Sequence, residues 1–335
     1  MAGTRALSYF QIGNEGASRG TPVAATRQLY PDVSSAFNVD WGYTFHEGRV
    51  SATRTPISYG TRQYERVEIN YRTPDDTGIS FDELPFLLQF PAGITPSGST
   101  AITWAFSNGG TASGTASSYT IEFGDDVQNF EAEYAMASRI RLSGDADGMT
   151  QAEADFFARQ ATKSTKTTLS PLSPVSIPSY LWTVAFGTAF AALDAATAVP
   201  NFLREWELEY TTGWMPHMYA DGLDYFGQAL ESGHVMGNVR LVVDSNSTAV
   251  SQFYDKGAAG TTDFVRLEAT GATIAGGTAY SAILETAVVW DNVTPLGSEI
   301  DGENTYEVEG TIIYDATGGQ SIGGTVVCTT TGLGA

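Results

Sequence analysis

The chain has 335 residues and a formal net charge of −21 at pH 7. This length allows two domains of ordinary size, and the charge argues against tight nucleic-acid binding, which needs clustered lysine and arginine. The single cysteine, Cys328, excludes an internal disulfide framework and cannot form a zinc site alone. The 36 glycines and the many short alternating runs predict an all-β protein rich in turns.

The first part of the chain shows an extended lead-in over residues 8–30 and strands near 39–45 and 63–71. Ser80 is then suited to cap a short helix, with Asp82 and Glu83 placed in its first turn to complement the helix dipole.

Residues 92–118 are rich in Gly, Ser and Thr, which predicts a long surface loop or an inserted hairpin. Residues 119–159 contain the clearest strands, and Asp147-Gly148 between two alternating runs predicts a hairpin turn. The segment 162–179 is rich in Ser, Thr and Pro, which is typical of a linker.

The second half of the chain repeats this order of elements. Residues 206–210 match 41–45, and residues 239–243 match 67–71. A segment capped by Ser247 matches the helix that begins at Ser80, and the strands at 264–315 match those at 119–159. The sequence therefore predicts two tandem modules, residues 1–162 and 201–335, joined by a linker over residues 163–200.

Charge is distributed unevenly along the chain. Residues 1–72 carry 8 Arg against 6 acids, or +2, whereas the remainder carries 9 basic against 32 acidic residues, or −23. Five arginines lie within the 24-residue segment 49–72, namely Arg49, Arg54, Arg62, Arg66 and Arg72. Each of them has a plausible place on a solvated strand face, and together they suggest an arm that contacts an acidic surface of a neighbouring copy.

Acidic side chains concentrate on one face of two predicted strands. The candidates are Glu153 and Asp155 in the first half, and Glu303, Glu307 and Glu309 in the second. They are too evenly spread to suggest an acid/base pair, and a solvated sheet face is the simpler alternative. His217 with Asp221 and Asp224 forms a weak metal motif, and the surrounding Met and aromatic residues favour a packing surface instead. The sequence therefore predicts neither a catalytic nor a metal site.

Three stretches resemble a known family. The segment IGNEGASRGTPVAAT (12–26) is similar to the N-terminal region of tail tube proteins of long-tailed, siphovirus-type bacteriophages. The strands YTIEFGDD (119–126) and RIRLSGDADG (139–148) resemble the central strands of the same proteins. The resemblance implies a β-sandwich or barrel in each module, with one short helix and a long hairpin arm.

The same resemblance implies a structural virion protein, made in the host cytoplasm, that polymerises as stacked rings around a channel for double-stranded DNA. It implies no enzymatic activity, no cofactor, no membrane insertion, and contacts with tape-measure, terminator and distal tail proteins. If one module builds a six-membered ring, a tandem chain predicts a homotrimeric, pseudo-hexameric ring. The five acids would then line the lumen, and the five arginines would contact the next ring.

Two other functions compete with this interpretation. One is a monomeric β-sandwich module that binds carbohydrate or protein through the aromatic loop 214–226. The other is a different ring protein of the virion, such as a tail terminator or baseplate component, which forms a single ring rather than a filament.

Overall fold

A computed structural model of the chain describes residues 9–16, 19–44, 61–62, 65–89, 96–108, 118–169, 174–231, 236–300 and 302–331. Strands account for 57% of the described structure and helices for 9%, which confirms the all-β prediction. None of the helices in these ranges is long and apolar enough to cross a membrane.

The strands are, in chain order, β1 (Tyr9–Asn14), β2 (Arg27–Leu29), β3 (Ala36–Asp40), β4 (Tyr43–Thr44), β5 (Thr61–Arg62), β6 (Arg66–Arg72), β7 (Ile102–Asn108), β8 (Tyr119–Gly124), β9 (Asn129–Asp145), β10 (Gln151–Ala158), β11 (Gln160–Ser164), β12 (Trp182–Gly187), β13 (Leu203–Thr211), β14 (Trp214–His217), β15 (Gln228–Glu231), β16 (Met236–Asp244), β17 (Asp263–Ala275), β18 (Thr278–Ile300), β19 (Glu303–Ile312) and β20 (Ile322–Cys328). The α-helices are α1 (Leu84–Gln89), α2 (Phe190–Leu193), α3 (Ser247–Ala249) and α4 (Asp255–Ala259), and a π-helical turn over Val250–Tyr254 joins the last two.

Eight strands form a continuous antiparallel row in the order β3-β6-β10-β9-β13-β16-β19-β18. The order β3-β6-β10-β9 in the first half recurs as β13-β16-β19-β18 in the second. Outside the row, β9 pairs with β8 and β8 with β1, just as β18 pairs with β17 and β17 with β12. The two halves therefore share one pairing scheme, and they join where β9 meets β13.

One face of the row is apolar and buried. Strand alternation places Ile69, Phe156, Leu142, Leu208 and Leu241 on this face, where each is 2% exposed or less. The long strands β9 and β18 extend beyond the row and pair there with strands that cover the core. Burying the apolar face between two layers leaves the opposite face of the row to solvent.

The helix predicted near Ser80 is present, but it begins at Leu84. Ser80 and Glu83 form a reciprocal capping box, with Glu83 N–H donating to Ser80 Oγ at 3.2 Å and Ser80 Oγ donating to Glu83 Oε2 at 2.7 Å. Asp82 and Glu83 are buried rather than on a solvated first turn. Asp82 instead accepts hydrogen bonds from Thr329 and Thr330, so it fixes the C-terminal strand to the first half.

Two segments, one predicted to be a surface loop or an inserted hairpin and the other a linker, contain strands that pair with the second half. Within residues 92–118, β7 pairs with β20 of the second half because Ile102, Trp104 and Phe106 alternate and bury one side of the strand. Within the expected linker 163–200, β12 pairs with β17, again because an alternating apolar run supplies a buried face. The hairpin turn expected at Asp147-Gly148 is confirmed between β9 and β10.

The helical segment of the second half is capped one residue earlier than expected. Asn246, rather than Ser247, accepts hydrogen bonds from the N–H groups of Thr248 and Ala249 at 2.9 and 3.0 Å. An Asn side chain in the N-cap position satisfies these two N–H groups, which lack partners within the helix.

Candidate functional site

The solvent face of the eight-strand row collects all five acids that the sequence singled out. Residues directly opposite in an antiparallel pair share a face, and Asp155 lies opposite Arg139 just as Glu309 lies opposite Arg240. Glu153 and Glu307 occupy the next positions on the same face, and Glu303 is at the far end of β19. The acids therefore belong to one surface, which we call the charged face.

The charged face also carries arginines beside these acids. Arg72 forms an ion pair with Glu153, and Arg139 lies 3.3 Å from Asp155. In the second half, Arg240 Nε is 2.7 Å from Glu307 Oε1. The face is therefore not uniformly acidic, because cross-strand register sets most of these carboxylates beside a guanidinium group.

The charged face nevertheless retains an excess of negative charge. Its ion-pair network, with Glu309, contains nine carboxylates and five guanidinium groups, which leaves four negative charges per chain. The carboxylates are Glu153, Asp155, Glu205, Glu207, Glu209, Asp244, Glu303, Glu307 and Glu309, and the guanidinium groups are those of Arg72, Arg139, Arg141, Arg204 and Arg240. Glu309 accepts a hydrogen bond from Asn292 at 3.2 Å.

Two ion pairs cross the junction between the halves. Arg139 Nη2 donates to Glu209 Oε2, and Arg141 Nη2 donates to Glu207 Oε2, each at 2.7 Å. The hydrogen bond with Arg139 lowers the pKa of Glu209, and the same bond raises the pKa of Arg139. Both partners are about one-third exposed, so these pairs add a modest amount to the stability of a junction that backbone pairing already forms.

The predicted arginine arm is divided among several places. Arg66 and Arg72 belong to β6, and Arg72 is paired with Glu153 inside the chain, so neither lies on a projecting arm. Arg62 is in β5, which pairs with β4. Arg49 and Arg54 lie outside the described residues.

The junction between the halves is a seven-pair antiparallel ladder that runs from Thr211 opposite Arg139 to Glu205 opposite Asp145. Thr212 N–H donates to the Ser138 carbonyl at 3.0 Å at one end. At the other end, Ala146 N–H donates to the Arg204 carbonyl at 2.9 Å. This ladder joins β9, at the end of the row in the first half, to β13, at the start of the row in the second half.

Within the described residues, the two outer edges of the row pair on one side only, β3 with β6 and the 292–300 part of β18 with β19. Asp32 N–H donates to Arg72 O on the β3 side of β6, and Thr73 N–H donates to Ala152 O on the β10 side. Because the backbone groups of successive strand residues point to opposite sides, the residues of β6 bond alternately to β3 and to β10. It follows that Ala36, Asn38 and Asp40 bond to β6. The N–H and C=O groups of Phe37 and Val39 point to the outer side.

The outer edges correspond to the two strands of the internal junction. By the shared pairing scheme, β3 takes the place of β13 and β18 takes the place of β9. Both β9 and β18 contain a bulge at the matching point, at Ser138 opposite β10 and at Asp291 opposite β19. This register aligns Tyr210 with Val39, so the match of residues 206–210 with 41–45 expected from sequence is wrong by several residues.

Exposed apolar side chains flank these edges. Trp41 follows β3 and is 49% exposed, Val33 precedes it at 54%, and Leu296 on β18 is 64% exposed. Large exposed apolar groups beside an open strand edge are typical of a surface that another chain covers. The sequence did not identify these side chains as exposed, because their exposure depends on which strands form the edges of the sheet.

A second hairpin, β14–β15, leaves the row after β13 and folds over the first half. Trp214 and Phe226 are buried against Tyr134 and Met136, and the Tyr134 and Phe226 ring centroids are 5.2 Å apart. The aromatic loop 214–226 is therefore a packing surface at its base. Four large apolar side chains of the hairpin are exposed, namely Met215 on β14 and Met218, Tyr219 and Leu223 at the tip.

In the described part of the chain, no group of three or more His, Cys, Asp or Glu side chains is placed to hold a metal ion. This includes His217 with Asp221 and Asp224; the other histidines, His46 and His234, lie outside the described residues. Burial raises the pKa of the Cys328 thiol to about 12. Neither a scan against protein-family models nor a search of curated proteins finds a match for the chain.

Proposed function

We propose that the chain is a structural ring protein of a tail-tube type, in which two tandem modules per chain assemble side by side with other copies. The single observation that carries this proposal is the internal junction between β9 and β13. It joins β9 at the end of one half to β13 at the start of the other. The matching edges, β3 and the 292–300 part of β18, each pair on one side only among the described residues.

Pairing β3 of one copy with β18 of the next would repeat the internal junction in a head-to-tail manner. Such heterologous contacts form a closed ring when the rotation permits. The tail-tube resemblance sets six modules per ring, which corresponds to three copies of this chain, with a formal charge of −63 (3 × −21). Stacked rings would form a tube that serves as the channel for phage DNA in the virion.

The register of the new junction follows from the internal one. Glu209 lies opposite Arg141, and these positions correspond to Asn38 and Thr294. The two ion pairs of the internal junction thus have neutral counterparts at the proposed one. Pro295 lies at an outward position of β18, where its missing N–H costs no bond within the chain and shortens the new ladder.

The charged face is the candidate for the channel wall. The ion-pair network on this face, counted with Glu309, has four excess negative charges per chain, or twelve in a ring of three, on a face that lies opposite the core. A negative wall repels phosphates and prevents DNA from adhering, and at physiological salt the repulsion extends about 8 Å. The arginines of the face are neutralised by their neighbours, so they offer little attraction to DNA.

Stacking of rings requires a second contact. The exposed apolar side chains of β14–β15, which are Met215, Met218, Tyr219 and Leu223, suit such a contact. This surface also suits a binding module, which is the competing function. A binding module would remain a monomer, and a terminator or baseplate protein would stop at one ring.

The proposal is tested by a disulfide across the new junction. In the proposed register Asn38 and Thr294 form a non-hydrogen-bonded pair, with the short Cα separation that a disulfide requires. The double variant Asn38→Cys/Thr294→Cys should give covalent dimers and trimers on mild oxidation, and closed trimers at completion. The buried thiol of Cys328 is held protonated by its raised pKa and should not contribute.

The matched control is Val39→Cys/Thr294→Cys, because a shift by one residue moves the side chain to the other face of the strand. It should remain monomeric on a denaturing gel. Wild-type protein should show rings of three copies and hollow filaments by electron microscopy. A monodisperse monomer at every concentration, with no cross-link in either variant, would overturn the proposal.

A further inference from the structure

A groove of about 470 Å³ opens beside the outer edge of β3, between residues 32–37 and the turn that joins β8 to β9. Aromatic rings line it. The Phe37 ring stacks on those of Phe123 and Phe130, with centroid separations of 5.8 and 5.9 Å. Val33 and Val127 also line the groove, and they are 54% and 55% exposed. The groove therefore offers an apolar recess at one of the two outer edges of the row.

Short turns fix both sides of this groove. On the side of the β8–β9 turn, Asp125 Oδ1 accepts hydrogen bonds from Val127 N–H at 2.8 Å and from Gln128 N–H at 3.0 Å. On the β3 side, Asp32 Oδ1 accepts a hydrogen bond from Ser34 N–H at 2.7 Å. The two carboxylates that line the groove are thus engaged within their own turns, and the groove is already formed in the single chain.

In the second half, a tryptophan occupies the position that corresponds to Ser35 of the groove. By the shared register Ser35 matches Trp206, which is 3% exposed and whose ring centroid lies 4.6 Å from that of Trp182. Trp206 is opposite Gly144 in the internal junction, and a Cβ atom at Gly144 would come within 2.8 Å of Trp206 Nε1. The internal junction therefore packs a large side chain of β13 against a glycine of β9, whereas β3 carries a small side chain at the same point.

The other outer edge of the row exposes a leucine in an unfavourable backbone conformation. On β18, Pro295 pairs with Tyr306 and Ser298 with Thr305, so the bulge residues between them, Leu296 and Gly297, have no place in the ladder with β19. Leu296 is 64% exposed, and its φ of 59° lies in the left-handed region, where the Cβ atom of leucine is crowded. Residues held in such conformations cluster at functional sites.

The register of the proposed junction brings this leucine to the groove. With Asn38 of one copy opposite Thr294 of its neighbour, two further positions along the antiparallel ladder set Ala36 opposite Leu296. Ala36 lines the groove. The bulge leaves Leu296 without a partner on β19, so it is available to the neighbouring copy.

We infer that Leu296 of one copy inserts into the groove between Phe37 and Val127 of the next copy in the ring. This inference rests on the proposed ring and names the side chain that fills its junction. The sizes of the partners are exchanged relative to the internal junction, because the large side chain now comes from β18 and the small ones from β3. A leucine on one edge and a groove on the other favour head-to-tail pairing over the pairing of two like edges.

A double-substitution cycle tests the inference. Leu296→Gly removes the leucine side chain, and glycine adopts a φ of 59° readily, so the thermal unfolding of the monomer should change little. Val127→Ser removes an exposed apolar group from the groove. Sedimentation velocity gives the protein concentration at which half of the chains are assembled. We expect Leu296→Gly to raise that concentration about 10- to 100-fold, as the loss of one buried leucine side chain implies, and Val127→Ser to raise it less.

The two substitutions should be coupled, because they remove the two sides of one contact. In protein that already carries Val127→Ser, Leu296→Gly should therefore have a smaller effect than in wild type. Leu296→Met is the matched control, since it keeps an apolar side chain of similar volume at the same backbone position, and it should assemble nearly as wild type does.

The outcomes separate this contact from the ring itself. If wild type assembles and the Asn38→Cys/Thr294→Cys variant cross-links, yet Leu296→Gly assembles as wild type does, the leucine contact is refuted and the ring stands. Independent effects of Leu296→Gly and Val127→Ser would also refute it, because Leu296 would then bind outside the groove. If wild type forms no rings and no cross-link appears, the proposed function fails and this inference fails with it.

Discussion

Substitution of Val39 by proline separates assembly from folding. The N–H of Val39 points to the outer side of β3, because its neighbours Asn38 and Asp40 bond to β6. Proline at an outward position of an edge strand removes no bond inside the chain. In the proposed ring of copies, however, Val39 faces Val293 of the next copy in a hydrogen-bonded pair. Proline at position 39 therefore removes one N–H donor and places its pyrrolidine group at the contact.

The expected magnitude follows from that one lost bond. The carbonyl of Val293 would be left without a donor at the junction, which costs about 1–3 kcal/mol. Since about 1.4 kcal/mol is a factor of ten in affinity, each junction should weaken by about 5- to 150-fold. A ring of three has three such junctions, so filaments should be absent at concentrations where wild type is fully assembled.

Sedimentation velocity and electron microscopy measure the loss of assembly, and thermal unfolding of the monomer measures the effect on the fold. Val39→Ala is the matched control, because it removes the same partly buried side chain and keeps the N–H. It should assemble with at most a small change. If Val39→Pro assembles with the same concentration dependence as Val39→Ala, then β3 is not a pairing edge and the argument from the internal junction fails.

Three other predictions follow from the described contacts. Glu209→Gln should lower the free energy of unfolding by about 0.5–1 kcal/mol at pH 7. Because Arg139 lowers the folded-state pKa of Glu209, this difference should vanish in urea titrations as the pH falls through that pKa. Glu15→Gln should lower the free energy of unfolding by about 3 kcal/mol in the same assay, because its buried carboxylate accepts four hydrogen bonds. The donors are Gly20 N, Ser118 Oγ, Thr120 Oγ1 and Tyr134 N. The matched change at an exposed site, Glu299→Gln, should have little effect. Reversing Glu303, Glu307 and Glu309 to lysine should leave rings intact but slow DNA passage through reconstituted tubes, and normal passage would remove these residues from the channel wall.

The period-two pattern of the sequence predicted the parts of the fold that depend on local order. Alternation over residues 129–145 defines β9, and Asp147-Gly148 defines its turn into β10, because both signals lie within a few residues of one another. The short helix near Ser80 was predicted for the same reason. The burial of Asp82 was not predicted, because its hydrogen-bond partners Thr329 and Thr330 lie 247 and 248 positions away in the sequence.

The candidate site was only partly predictable. The common face of Glu153 and Asp155 follows from alternation alone, whereas their pairing with Arg72 and Arg139 depends on cross-strand register that no single strand encodes. The bulge at Ser138 shifts that register by one residue, which a count of offsets along the sequence does not detect. The same uncertainty explains why residues 41–45 were matched to β13 in place of β3.

The differences between the internal and the proposed junctions are consistent with what a tandem chain needs. The internal junction is held by a long ladder, two ion pairs and the pairing of β7 with β20, so the two halves of one chain form a single unit. An equally strong outer edge would pair with any free strand during synthesis, a hazard that proline and bulges reduce. Pro295 and the adjacent bulge on β18 provide that protection. Ring closure would therefore depend on the cumulative effect of three weak junctions.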